Sequence, residues 1–94
     1  LGNLQPRPYT VRLYFVEPDP KTPGQRLFDI ALQGKTVCKA LDIVKETSQP
    51  NIGLVKEFSK IYAADSLTLT LTPADSAKTT ETIICGIEII AEGW

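Results

Sequence analysis

Carboxylates in and near the first long loop are the side chains of this sequence with the clearest potential for chemistry. Glu17 and Asp19 stand together in the stretch EPDPKTPGQ, and Asp29 and Asp42 occur in or beside apolar runs. A glycoside hydrolase needs two carboxyl groups held about 5–10 Å apart across a cleft. Acidic residues in loops are more often solvated turn residues, so we interpret this set as non-catalytic and expect that the chain is not an enzyme.

Asp29 differs from the loop acids because it lies inside the apolar run RLFDIAL. Burying a carboxylate among apolar residues is costly unless it is hydrogen-bonded. We therefore expect Asp29 to be a structural acid that fixes a neighbouring loop, through Arg26 or Arg12.

Aromatic residues offer a second kind of chemistry, because the apolar face of a sugar ring stacks on an aromatic ring while polar groups bind its hydroxyls. The candidate stacking residues are Tyr14, Tyr62 and Trp94, and the polar candidates beside them are Asp19 and Lys21. A single surface aromatic residue more often packs against its neighbours than binds a ligand. Both interpretations of these residues therefore stay open.

Several kinds of site are excluded by what the sequence lacks. It contains no histidine, which removes Ser-His and Cys-His nucleophile pairs and every histidine-containing zinc site. No phosphate-binding glycine loop, dinucleotide motif or calcium-type acidic cluster is present, so we expect neither a cofactor nor a metal. The two cysteines, Cys38 and Cys85, could form one disulfide in an exported protein. We expect instead that both are small buried hydrophobic residues and unpaired.

Length and charge restrict the partners. The 94 residues suit one domain, so we expect a single domain over residues 1–94. Its 10 basic and 11 acidic residues nearly cancel, and a nucleic-acid-binding protein would show a basic excess. The longest apolar stretch is too short to insert into a membrane. Because the chain starts with Leu-Gly-Asn and contains no methionine, we expect a segment of a larger protein whose other domains are its partners.

Alternating apolar and polar residues predict most of the secondary structure. The period of two at 9–16, 26–32 and 66–73 is typical of strands with one face on a core. Gln33-Gly34 predicts a tight turn that pairs 26–32 with a strand at 35–40. The Pro-rich loop from Glu17 to Gln25 predicts a stiff hairpin connection in which Glu17 anchors structure, because prolines remove backbone donors.

Three further segments are interpreted as strands. Residues 41–46 suit a helix poorly by propensity, and 54–62 is ambiguous but lies among predicted strands. Residues 82–92 are nearly all apolar, which predicts a central strand covered on both faces. The set of strands predicts an all-β protein, an antiparallel β-sandwich. Its predicted core consists of Val11, Leu13, Phe15, Leu67, Leu69, Leu71, Ile83, Cys85, Ile87 and Ile89.

Four stretches, in this order, resemble the malectin and malectin-like family of carbohydrate-binding domains. They are YTVRLYFVEP, GQRLFDIALQGKTVCKALDIVKE, SLTLTLTP and IICGIEII. The resemblance runs from Tyr9 to Ile90, which is most of the chain. It implies a jelly-roll-like sandwich of the galactose-binding-domain type that is not catalytic. It also implies an oligosaccharide or polysaccharide as ligand, and it favours an extracellular or periplasmic location.

Two departures from the family pattern concern the sugar site. The family has an aromatic pair just after the strand-ending glutamate, where this chain has Glu17-Pro18-Asp19-Pro20 and no ring. The family domain is also longer at its N-terminus and takes further ligand tyrosines from there. The fold of the family therefore carries over better than its sugar site does. From the residues themselves, we expect any glycan to bind weakly through Tyr14, Tyr62 and Trp94, with Asp19 and Lys21 at the rim. The alternative is a structural or protein-interaction sandwich without a sugar ligand.

Overall fold

The computed structural model describes residues 5–18, 23–49, 51–74 and 82–93. These residues form six strands and one short helix, in the order β1 (Arg7–Phe15), β2 (Phe28–Leu32), β3 (Lys35–Leu41), α1 (Ile43–Thr47), β4 (Leu54–Ala63), β5 (Leu69–Pro73) and β6 (Gly86–Ala91).

The strands form two three-stranded sheets. Sheet A has the order β4-β1-β6 and sheet B the order β3-β2-β5, and every pairing in them is antiparallel. The all-β antiparallel sandwich predicted from the sequence is confirmed. Strand β4 confirms the ambiguous segment 54–62 as a strand.

The central strand β1 shows how the sequence positions both faces of sheet A. Val11, Leu13 and Phe15 are fully buried, while Arg12 and Tyr14 between them stay partly exposed. Because successive strand residues point to opposite faces, the first three face sheet B and the other two face away from it. The buried apolar cluster consists of Val11, Leu13, Phe15, Phe28, Ile30, Leu32, Leu41 and Ile43.

A tight two-residue turn joins β2 to β3, as the sequence predicts. Gln33 and Gly34 have φ angles of 54° and 77°, the left-handed pair that a hairpin of this type requires. The Gln33 side chain also accepts a hydrogen bond from the Thr68 backbone N–H (2.7 Å) and donates to the carbonyl oxygen of Tyr62 (3.1 Å). The turn therefore also fixes the connection between β4 and β5.

The connection from β1 to β2 is not the hairpin that the sequence analysis predicts. The two strands lie in different sheets, so the chain crosses from one layer to the other after Glu17. The predicted anchoring role of Glu17 is confirmed, because its carboxylate is 1% exposed and accepts a hydrogen bond from Nε of Arg26 (2.6 Å), which is 6% exposed. A buried ion pair thus joins the two ends of the crossing.

The predicted strand at 41–46 is wrong, because the chain forms helix α1 there. Asp42 is extended and acts as its N-cap: its side chain accepts a hydrogen bond from the Lys45 backbone N–H (3.1 Å). Aspartate is a poor residue inside a helix and a good one at this position. The same carboxylate accepts from the Gly24 backbone N–H (2.7 Å), so the end of the β1–β2 connection is tied to the helix start.

Replacing Asp42 with alanine is expected to lower the free energy of unfolding by about 1–2 kcal/mol, because the backbone N–H groups of Lys45 and Gly24 lose their acceptor. Asp42→Asn should retain most of the stability, since asparagine caps helices about as well. Urea denaturation of the two variants measures the difference, and equal losses would argue against the capping role.

The predicted position and burial of the last strand are also wrong. β6 lies at an edge of sheet A, and the central strand is β1. Ile87 and Ile89 are 47% and 48% exposed, and Cys85, just before β6, is exposed as well. The other predicted core residues are buried or pack against the buried cluster. The difference arises because the apolar pattern fixes the face of a strand but not how much of that face is covered.

We find no helix in the described part of the chain that is both long and apolar enough to cross a membrane.

Candidate functional site

Tyr14 lies on the solvent-facing side of sheet A, in the middle of a group of polar side chains. Its hydroxyl donates a hydrogen bond to Oε1 of Glu88 (2.8 Å) on the neighbouring strand β6. Its backbone pairs with Val55 on one side and Gly86 on the other. Placement on β1 therefore gives the ring one neighbour on each flanking strand.

Arg12 connects the two edge strands beside Tyr14. Its Nε donates to Oε1 of Glu57 on β4 (2.6 Å), and one terminal nitrogen donates to Oε1 of Glu88 on β6 (3.2 Å). All three side chains are between 40% and 53% exposed. We call Arg12, Tyr14, Glu57 and Glu88 the sheet A cluster. With one guanidinium and two carboxylates, it carries a net negative charge.

The hydrogen bonds in the sheet A cluster shift the pKa of its members in consistent directions. The pKa of Glu88 is lowered because its carboxylate accepts hydrogen bonds from the Tyr14 hydroxyl and from Arg12. The pKa of Tyr14 is raised by that same bond to Glu88. The pKa of Arg12 is raised chiefly by its hydrogen bond to Glu57. At neutral pH, Glu88 is therefore a carboxylate, Tyr14 a phenol and Arg12 a cation.

Gly86 lies beside the ring of Tyr14. A side-chain carbon at this position would lie 3.8 Å from Cδ2 of Tyr14, in direct contact with the ring. The hydrogen bond to Glu88 holds the Tyr14 ring at its hydroxyl, while the side chain stays partly exposed.

Tyr62 lies on the same side of sheet A but far from Tyr14. It is 56% exposed and pairs with Pro8, six residues before Tyr14 on β1. At about 3.3 Å per residue the two positions are ~20 Å apart. They cannot contact the same sugar ring, although a short oligosaccharide could reach both.

Three of the residues predicted to bind ligand, Asp19, Lys21 and Trp94, lie outside the described residues. Their roles stay predictions. Of the five predicted site residues, Tyr14 and Tyr62 lie on the same face of sheet A.

Asp29 is the structural acid that the sequence predicts, but its partners are different. Its carboxylate accepts hydrogen bonds from the Ala40 backbone N–H (2.8 Å) and from Nζ of Lys39 (3.4 Å), not from Arg26 or Arg12. The bond from Ala40 is the main cause of its lowered pKa. Ala40 has a φ of 49°, which is unfavourable for a residue with a Cβ, and the Asp29 carboxylate holds the chain in this irregular part of β3.

A surface hollow of about 380 Å³ lies between β3 and α1. Cys38, Lys45 and Lys56 contribute to its lining, and Lys56 donates to Glu46 across it (2.7 Å). Cys38 and Cys85 are free thiols in the structure, and the predicted burial of both is wrong, because Cys38 is half-buried and Cys85 is exposed. Burial raises the pKa of the Cys38 thiol, which makes it a weak nucleophile at neutral pH. Within the described ranges, no three acidic or sulfur ligands cluster as a metal site would require.

The sequence analysis misses most of the sheet A cluster. Alternation alone places Arg12 on the same face as Tyr14, but Glu57 and Glu88 are 45 and 76 residues away from Arg12 in sequence. Only the register of β4 and β6 against β1 brings them together. No local pattern in the sequence could have found these two carboxylates.

Comparison with protein families identifies a match over most of the chain. The family model of the Malectin domain matches residues 4–90, which includes β1 to β5, the helix α1 and all of β6 except its last residue, Ala91. No curated protein and no solved structure matches the chain. The match covers nearly the whole sequence and agrees with the all-β sandwich and with the resemblance seen in the strand motifs. The chain belongs to the malectin domain family, a family of carbohydrate-binding domains.

Proposed function

We propose that this chain is a non-catalytic glycan-binding module of a larger protein, and that it binds oligosaccharide on the outer face of sheet A with Tyr14 as the stacking residue. The observation that carries the proposal is the fixed Tyr14 ring, whose hydroxyl is bound by Glu88. A ring that is already ordered loses little side-chain entropy when a sugar stacks on it.

The remaining members of the sheet A cluster supply groups that bind sugar hydroxyls. Arg12 has further N–H donors besides those bound by Glu57 and Glu88, and each carboxylate has acceptor positions left. Donors and acceptors side by side match the neighbouring hydroxyls of a pyranose, which both donate and accept. The net negative charge of the cluster favours neutral sugars over uronic acids and sialic acids.

The same geometry argues against hydrolysis. A glycoside hydrolase needs a carboxyl group whose raised pKa keeps it protonated as a general acid. The pKa of Glu88 is lowered instead, by Tyr14 and Arg12. Glu57 and Glu88 are also both bound to Arg12 on an open sheet face. The cluster is therefore better suited to holding a glycan than to cleaving one.

A glycan array of neutral oligosaccharides, followed by calorimetric titration of the best ligand, tests the proposal. Tyr14→Ala is expected to weaken binding by about tenfold or more, equivalent to ~1.4 kcal/mol, because the stacking surface is lost. Tyr14→Phe keeps the ring but loses the hydrogen bond to Glu88 that orders it, so it should weaken binding less than Tyr14→Ala does. The double variant Asp19→Ala/Lys21→Ala is expected to bind nearly as the parent chain does.

Two outcomes would contradict this assignment. If the double variant abolished binding while Tyr14→Ala retained it, the site would lie in the loop after β1. If no glycan bound at all, the alternative of a structural or protein-interaction domain would be favoured. The half-exposed Ile87 and Ile89 on β6 are the observation that supports this alternative.

A further inference from the structure

Strand β6 exposes apolar side chains on the face that should be buried. Ile87 pairs with Leu13 and Ile89 with Val11, so all four side chains point toward sheet B. Leu13 and Val11 are fully buried, but Ile87 and Ile89 are about half exposed. Sheet B therefore covers the centre of sheet A and leaves β6 partly uncovered.

The backbone of β6 also offers an open edge. The Glu92 N–H donates to the Pro8 carbonyl oxygen (3.2 Å), so the even-numbered residues of β6 direct their backbone groups toward β1. The N–H and C=O groups of Ile87, Ile89 and Ala91 then point away from β1. Among the described residues, β6 pairs with β1 alone.

The other edge strands carry features that discourage pairing with another chain, namely charged lysines, irregularities and proline. β4 contains Lys56 and Lys60 and a register shift. β3 contains Lys35 and Lys39 and two shifts, and β5 ends in Pro73. β6 pairs with β1 without a shift and has neither lysine nor proline. Among the described strands, β6 is therefore the edge without these features, and we call it the unprotected edge.

We propose that β6 is a homodimer interface, in which it pairs antiparallel with β6 of a second copy about a twofold axis at Ile89. In this register Ile89 lies opposite its own copy, and Ile87 lies opposite Ala91 of the second copy. These are the residues whose backbone groups point outward, so each such pair can form two hydrogen bonds. The exposed isoleucines then form one apolar row across the interface.

The sequence GIEIIA of β6 favours this register and favours a second copy of the chain as the partner. An axis at Glu88 would place two carboxylates directly opposite each other, which is destabilising, whereas an axis at Ile89 places Glu88 opposite Ile90. Pairing of β6 with itself is isologous and therefore closes at two copies. A second copy uses the unprotected edge completely and leaves only the protected edges exposed.

The dimer would also place both Tyr14 rings on one side. Residues directly opposite each other in a sheet point to the same face, so the two sheets A would form one continuous sheet with a common outer face. If Tyr14 binds glycan as proposed above, a dimer could bind two sites of one polysaccharide and gain avidity. The dimer itself does not depend on glycan binding.

Sedimentation equilibrium of the purified chain from micromolar to millimolar concentration tests the interface. We expect a reversible monomer–dimer equilibrium. Ile89→Lys should raise the dissociation constant by at least about tenfold, because two like charges would face each other at the axis. Ile52→Lys is the matched control, since Ile52 is 40% exposed but lies before β4, and it should leave the equilibrium unchanged.

The register is tested by cross-linking. Ile89→Cys should give a disulfide-linked dimer under mild oxidation, and Ile52→Cys should give no more dimer than the parent chain with its own two cysteines. A chain that remains monomeric at every concentration would overturn the proposal and leave the β6 edge to a strand of another protein. A dimer that Ile89→Lys does not weaken would overturn it too, because the interface would then lie elsewhere.

Discussion

Replacing Glu17 with alanine is expected to destabilise the protein by about 3–5 kcal/mol, because it removes one partner of a buried ion pair. Glu17 and Arg26 are 1% and 6% exposed and 2.6 Å apart. They lie at the two ends of the crossing between the sheets, so losing the pair also loosens the connection. Urea denaturation followed by circular dichroism measures the loss of stability. A variant that shows no cooperative unfolding transition would be the extreme case of this destabilisation.

Two controls separate the buried pair from a general effect of charge removal. Glu57→Ala also removes a carboxylate from an arginine, but this pair is half exposed and screened by solvent, so the change should be much smaller. The double variant Glu17→Met/Arg26→Met should be less destabilised than Glu17→Ala, because it removes both charges of the buried pair. If Glu17→Ala cost no more than Glu57→Ala, the anchoring role would be wrong.

Truncating Phe28 to alanine is expected to cost about 3–5 kcal/mol, through lost burial and the cavity left behind. Phe28 is fully buried, and its ring centroid lies 5.7 Å from that of Phe15 at an angle of 51°. The pair joins the central strands of the two sheets, at the end of β1 and the start of β2. Denaturant unfolding again measures the change.

Ile87→Ala is the control for the Phe28→Ala prediction. Ile87 points toward sheet B as Phe28 points toward sheet A, yet it is 47% exposed. We expect it to lose less than about 1 kcal/mol when unfolding is measured at a concentration where the chain is monomeric. A loss at Ile87 comparable to that at Phe28 would show that β6 is covered in solution by something else.

Several elements follow from local sequence alone. The alternation in YTVRLYFV fixes which side of β1 faces the core, because side chains in a strand alternate by geometry. Gln33-Gly34 fixes the β2–β3 turn, because its left-handed pair of residues matches the twist of the flanking strands. These features depend on residues next to each other in the chain, and the structure confirms both.

Elsewhere the same kind of reasoning failed for identifiable reasons. The segment at 41–46 was predicted as a strand because aspartate is unfavourable inside a helix. Asp42 instead precedes helix α1 as its N-cap, where aspartate is favourable. The loop after Glu17 was predicted as a stiff hairpin connection from its prolines, but the strands that it joins lie in different sheets. Neither the start of a helix nor the sheet a strand joins is visible in periodicity.

The candidate site shows the same division. That Tyr14 and Arg12 share the outer face of β1 could be predicted from the sequence. Their contacts with Glu57 and Glu88 depend on which strands flank β1 and in which register, and no local pattern specifies either.

The sequence by itself determined the all-β class, the faces of the strands, the turn at Gln33-Gly34 and the family, because each rests on the order of nearby residues. The tertiary structure alone decided that β1 is central and β6 an edge, that Glu17 pairs with Arg26, and that Glu57 and Glu88 meet at Arg12. The physical reason is that strand pairing joins residues far apart in the chain. Coverage of a face, moreover, depends on the extent of the opposite sheet rather than on the strand itself. Ile87 and Leu13 point the same way, and only the sheet above them makes one exposed and the other buried.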